Sequence, residues 1–102
     1  MSANTGLKIL ISDSLSTQGV ELLQKAGFTV VVKSKMPKEE LFKEIKDADG
    51  LIVRSGTKVT EELITAAPKL KIVGRAGSGL DNVDTPAATK RGIVVMNTPG
   101  GN

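Results

Sequence analysis

Five short apolar, β-branched runs recur along the chain at nearly constant spacing. They begin at Lys8 (KILIS), Thr29 (TVVVK), Leu51 (LIVRS), Lys71 (KIVGR) and Ile93 (IVVMN), so successive starts lie 21, 22, 20 and 22 residues apart. Continuous rather than alternating apolarity marks strands buried on both faces, the habit of parallel sheets.

Helix-length segments with start and stop signals lie between the runs. Ser16 is placed to cap a helix carrying Val20, Leu23 and Ala26 on one stripe, with Gly27 ending it. Pro37 suits a first helical turn, followed by Leu41, Phe42, Ile45 and Ala48 at helical spacing before Gly50. Thr60 caps a short helix bearing Leu63, Ile64 and Ala67, and Pro68 stops it. Thr85-Pro86 opens the last helix and Gly92 closes it. The order βαβαβαβαβ predicts an α/β fold: a flavodoxin-like parallel five-stranded sheet, order 2-1-3-4-5, with right-handed crossovers and helices on both faces.

In that arrangement ligands bind beyond the C-terminal strand ends where the chain reverses, between strands 1 and 3. Strand 1 ends in Ser12-Asp13-Ser14, strand 3 in Arg54-Ser55-Gly56-Thr57, and strand 4 in a loop that opens with Arg75. Two arginines and several small polar residues therefore gather at one rim, which suits an anionic small molecule. The plainer alternative is that Arg54 and Arg75 merely pair with Asp13 or Asp81.

The Arg75 loop reads Gly74-Arg75-Ala76-Gly77-Ser78-Gly79, three glycines within six positions. Such backbone approaches a ligand closely, its N–H groups can converge on an anion, and the arginine charge does not titrate away. It is not a dinucleotide fingerprint: the order is Gly-x-x-Gly-x-Gly, and Asn82 stands where GxGxxG needs its last glycine.

Composition narrows the chemistry. A length of 102 residues predicts one domain, with a core of little margin. Net charge is +3 with the 14 basic residues spread out, and Phe28 and Phe42 are the only aromatics, a poor match to nucleic-acid binding. No run approaches the ~20 apolar residues of a membrane span. The polar start Met1–Gly6 has no signal-peptide core, and there is no cysteine, so the cytoplasm is the expected location. Histidine is absent too. Glu39-Glu40 and Glu61-Glu62 fall in first helical turns, where they complement the helix dipole rather than forming catalytic pairs. No nucleophilic triad or metal-ligand set can be assembled.

Several segments together resemble the NAD-dependent D-2-hydroxyacid dehydrogenases. They are Ile11-Ser12-Asp13-Ser14-Leu15, the stretch from Gly50 to Thr60, the Arg75 loop running on through Asp81-Asn82-Val83-Asp84, and Gly92 to Pro99. The match spans nearly the whole chain in order and spacing. The Ile-Ser-Asp opening and Arg54-Ser55 point to the branch that oxidises 3-phosphoglycerate to 3-phosphohydroxypyruvate, the first step of phosphorylated serine biosynthesis. The resemblance implies a substrate-binding domain that packs against a separate nucleotide-binding domain in a homo-oligomeric parent. It further implies that Arg54 and Arg75 help bind the substrate's anionic groups. The amides of Gly77, Ser78 and Gly79 would hold its carboxylate, and Ser78 would also approach the bound NAD.

The family's catalytic Arg, Glu and His and its GxGxxG loop have no counterpart before Asn102. The 102 residues are accordingly expected to be a substrate-binding domain truncated before the nucleotide-binding domain, and to be inactive alone. A sheet of this type normally carries a fifth helix beside the first, so one face is expected to have a single helix and exposed Val and Ile. Two other readings stay open. One is a non-catalytic, NAD-sensing corepressor of the same superfamily. The other is an unrelated flavodoxin-like anion-binding module, although a receiver would need an Asp ending strand 3 and a Lys ending strand 5, where Arg54 and Asn97 stand.

Overall fold

The computed structural model describes residues 6–13, 17–54, 56–76 and 82–98. Five strands, β1 (Lys8–Ile11), β2 (Thr29–Val32), β3 (Gly50–Val53), β4 (Ile72–Ala76) and β5 (Val94–Thr98), form one sheet in the order β2-β1-β3-β4-β5. All four pairings are parallel. The expected topology is the observed one.

Between the strands lie α1 (Thr17–Lys25), α2 (Lys38–Glu44), α3 (Glu61–Thr65) and α4 (Thr85–Lys90). Ser16, the expected cap of α1, lies outside the described residues, while α3 and α4 start on side-chain caps. Thr60 Oγ1 accepts from the Leu63 N–H at 3.2 Å, and Asp84 Oδ1 accepts from the Ala87 N–H at 3.1 Å. Asp84 rather than the Thr85-Pro86 pair is thus the cap, and the proline occupies the first turn, where a missing N–H costs nothing. Pro37 sits one place earlier than expected, at the N-cap of α2. Nor does that helix run through to Ala48: it tightens into a 3-10 turn at Ile45–Asp47. The tighter turn keeps Ile45 and Ala48 fully buried and delivers Asp49 to accept the Lys8 N–H at 2.9 Å.

Arg91 supplies a contact between elements. Its guanidinium donates to the carbonyls of Ile64 (2.8 Å) and Ala67 (3.3 Å), satisfying the open C-terminal end of α3.

Alternation along the strands sorts their side chains between two faces. Leu10, Leu51, Val53 and Val73 face one way and pack with Ile45, Leu63, Ile64, Ala87 and Ala88 from the α2, α3 and α4 segments, forming the main core. Ile9, Ile52, Ile72 and Met96 point the other way, where α1 brings Leu22 and Leu23. Among the described residues that second face is incompletely covered, with Leu22, Val94 and Met96 exposed and α1 the one helix against it. Among the described residues no helix is long and apolar enough to cross a membrane.

Candidate functional site

The rim at the C-terminal strand ends is stitched together by the segments that leave β3 and β4. Val59 pairs in parallel with Val83, and its N–H and C=O bond to Asn82 O and to the Asp84 N–H, each at 2.8 Å. Val59 and Val83 are buried, so this short pairing is also anchored in the core.

Asn82 is the organising side chain. Its Nδ2 donates to the carbonyls of Arg54 and Thr57, both at 2.6 Å, and its Oδ1 accepts from Arg75 Nε at 2.7 Å. One amide thus spends both donors and an acceptor in joining the end of β3 to the end of β4. In the sequence, position 82 stands out only where GxGxxG needs its last glycine and as part of the Asp81–Asp84 stretch that resembles the family. The local signal for its role is an Asn two residues before the helix cap Asp84.

The register pairs Val53 with Arg75, so Arg54 stands one residue beyond Arg75's level on the neighbouring strand. The two expected binding arginines are brought to one edge. Arg54 is exposed and Arg75 half-buried. The plainer alternative does not hold for Arg54: Asp13 Oδ2 accepts its backbone N–H at 2.6 Å, and among the described residues its guanidinium enters no ion pair. Asp13 therefore fixes the peptide while the charged head faces outward. Gly56 leaves room for that carboxylate, since a Cβ there would lie 2.7 Å from Asp13 Oδ1. Below it, Ser12 Oγ and Thr57 Oγ1, both on buried residues, bond at 3.0 Å. Gly77, Ser78 and Gly79, the expected carboxylate-binding amides, lie outside the described residues.

Two openings flank the rim. One, of about 600 Å³, lies where β1, β2 and β3 end and includes Arg54 in its wall. The other, of about 590 Å³, is bounded by Lys58, Arg75, Asn82 and Asp84. Among the described residues no group of acidic side chains could hold a metal ion. Among the described residues the pKa values that move belong to surface ion pairs. A hydrogen bond from Lys33 holds the Glu44 carboxyl below the usual range, and one from Lys8 does the same to Asp47.

A charged, hydrogen-bonded rim of this kind suits a small dianion, and relatives of the chain give that geometry a family. The pig (Sus scrofa) D-3-phosphoglycerate dehydrogenase is 60% identical over 93% of this chain, and the Archaeoglobus fulgidus D-3-phosphoglycerate dehydrogenase is 49% identical over 94%. The chain spans only 18% of the length of each of these curated relatives. The crystal structure of NAD+-bound 3-phosphoglycerate dehydrogenase from Entamoeba histolytica superposes with a TM-score of 0.83 at 46% identity, over 96% of this chain and 34% of that one. Residues 9–102 match the family model for the D-isomer specific 2-hydroxyacid dehydrogenase catalytic domain. A match over nearly its whole length, on the same five-stranded topology, means that the chain belongs to the D-isomer specific 2-hydroxyacid dehydrogenase family.

Proposed function

We propose that these residues are the substrate-binding part of an NAD-dependent dehydrogenase that oxidises 3-phosphoglycerate to 3-phosphohydroxypyruvate. The observation that carries this reading is the Asn82 amide, which ties the Arg54 peptide and the Arg75 guanidinium to one edge. Adjacent strands lie about 4.8 Å apart, so arginines at the ends of β3 and β4 span a short molecule with an anionic group at each end. Arg54 and Arg75 take those groups, and the amides of Gly77, Ser78 and Gly79 take the carboxylate. The names of the relatives support the choice of acid.

Oxidation at the hydroxyl carbon needs a proton acceptor and a hydride acceptor. The chain has no histidine for the first. For the second, the described residues do not form a pyrophosphate cradle. The N-termini of α3 and α4 are occupied by their own caps, Thr60 and Asp84, and α2 and α3 carry glutamates in their first turns. NAD must therefore be seated by residues other than these, with Ser78 the one position of this chain assigned toward it. A nucleotide-binding domain, as a partner within a longer cytoplasmic, homo-oligomeric protein, completes the proposal.

Titration of the ¹⁵N-labelled chain with 3-phosphoglycerate tests it. Amide shifts should concentrate at Arg54, Arg75 and residues 77–79. Shifts confined to the uncovered α1 face would overturn the assignment.

A further inference from the structure

The Asn82 amide is fixed before it meets Arg75. Its backbone carbonyl accepts the Val59 N–H at 2.8 Å, and the next residue, Val83, is buried and pairs with Val59. The orientation of the side chain follows from its partners. Nδ2 faces the carbonyls of Arg54 and Thr57. The flipped amide would set an oxygen against two oxygens and an NH2 against the Arg75 Nε–H. Oδ1 is therefore an acceptor held in place from three directions, 2.7 Å from Arg75 Nε.

An arginine presents its head on a long chain of rotatable bonds, and ordering that chain at the moment of binding weakens affinity. A bond at Nε acts on the last of those rotations. Nε lies in the guanidinium plane, so a fixed acceptor beside it sets the tilt of the whole planar fork. A lysine offers no counterpart to Nε. Arg75 stands near the end of β4 and is half-buried, so the tilt of its fork decides how it meets an anion at the rim.

We propose that Asn82 is a positioning residue for anion binding: it acts through Arg75, setting the guanidinium plane before the anion arrives, and touches no ligand itself. The phosphoglycerate reading supplies only the identity of that anion. A purely structural Asn82 would lower stability without regard to the side chain at position 75. A positioning Asn82 affects anion binding only while an arginine stands there.

A double-mutant cycle on the chain separates the two roles. Wild type, Asn82→Ala, Arg75→Lys and the double variant are titrated with 3-phosphoglycerate and D-glycerate. The Arg75 Nε–H is followed by NMR wherever the arginine is kept. Asn82→Ser, whose hydroxyl still offers an acceptor, replaces Asn82→Ala in the cycle if the alanine variant unfolds. In wild type both acids should shift the Arg75 Nε–H. Asn82→Ala should weaken both roughly fivefold, and Asn82→Ser should weaken them less. In the Arg75→Lys background, loss of Asn82 should change affinity by less than about twofold. Equal losses in the two backgrounds, or full affinity in Asn82→Ala, overturn the positioning role even where 3-phosphoglycerate stays the preferred acid. Coupling seen with both acids bound equally well keeps the positioning role and removes the phosphoglycerate reading. A wild-type Nε–H that neither acid moves overturns the role outright.

Discussion

Asn82 Oδ1 accepts a hydrogen bond from Arg75 Nε at 2.7 Å while its Nδ2 reaches the carbonyl of Arg54 across the gap between two strand ends. The two arginines are therefore coupled through one neutral amide that joins the end of β3 to the end of β4. Asn82→Ala should cost roughly 1–3 kcal/mol, because the part-buried Thr57 carbonyl and Arg75 Nε–H and the exposed Arg54 carbonyl all lose this partner together. Asn82→Asp should be worse for the fold than its isosteric shape suggests, since an oxygen would then face the Arg54 and Thr57 carbonyls. Urea unfolding of the three proteins checks both, and an Asp variant as stable as wild type would refute the donor assignment.

Gly56 governs Arg54 indirectly. A Cβ at position 56 meets Asp13 Oδ1 at 2.7 Å, and Asp13 holds the Arg54 N–H. Gly56→Ala should push the carboxylate aside, destabilise the chain by about 1 kcal/mol and shift the Arg54 amide resonance. An unmoved Arg54 amide would show that Asp13 does not depend on the glycine.

Arg91 closes the end of α3 with two N–H donors. Arg91→Ala should lose about 1–2 kcal/mol, and Arg91→Lys should recover only part because an ammonium lacks the planar fork. Thermal melts of the pair decide this, and equal melting of Lys and Arg forms would argue against the fork.

The parts of this fold that were legible in sequence are those set by local apolar pattern and caps. Runs of Val, Ile and Leu located five strands, and Thr60 and Gly92 act where they were expected. The rim arginines followed from strand order alone. Asn82 escaped because its three partners depend on how the segment after β3 folds back, at sequence separations of 28, 25 and 7. The left-handed backbone at Lys35 (φ 59°) escaped because Ser34-Lys35-Met36 carries none of the usual left-handed residues. The tightening at Ile45–Asp47 came from a tertiary demand, the delivery of Asp49 to Lys8, which helical spacing does not encode.

Stability should fall on acidification through two surface pairs. Glu44 and Asp47 have carboxyl pKa values lowered mainly by hydrogen bonds from Lys33 and Lys8. A folded-state pKa below the unfolded one stabilises fully above the unfolded value and loses that contribution as pH falls through the folded one. The loss should therefore begin near pH 4.5 for Glu44 and near pH 3.8 for Asp47, and continue below each. Glu44→Gln and Asp47→Asn should each flatten the pH dependence of the urea midpoint in that window. An unchanged slope in both would remove these pairs from the account.

The central claim is that Arg54 and Arg75 divide the two ends of a short dianionic acid between them. The most direct measurement is the affinity of the chain, Arg54→Gln and Arg75→Gln for 3-phosphoglycerate and D-glycerate. The account predicts that wild type prefers 3-phosphoglycerate, that Arg54→Gln abolishes the preference, and that Arg75→Gln weakens both acids alike. Equal binding of both acids by all three proteins would contradict it.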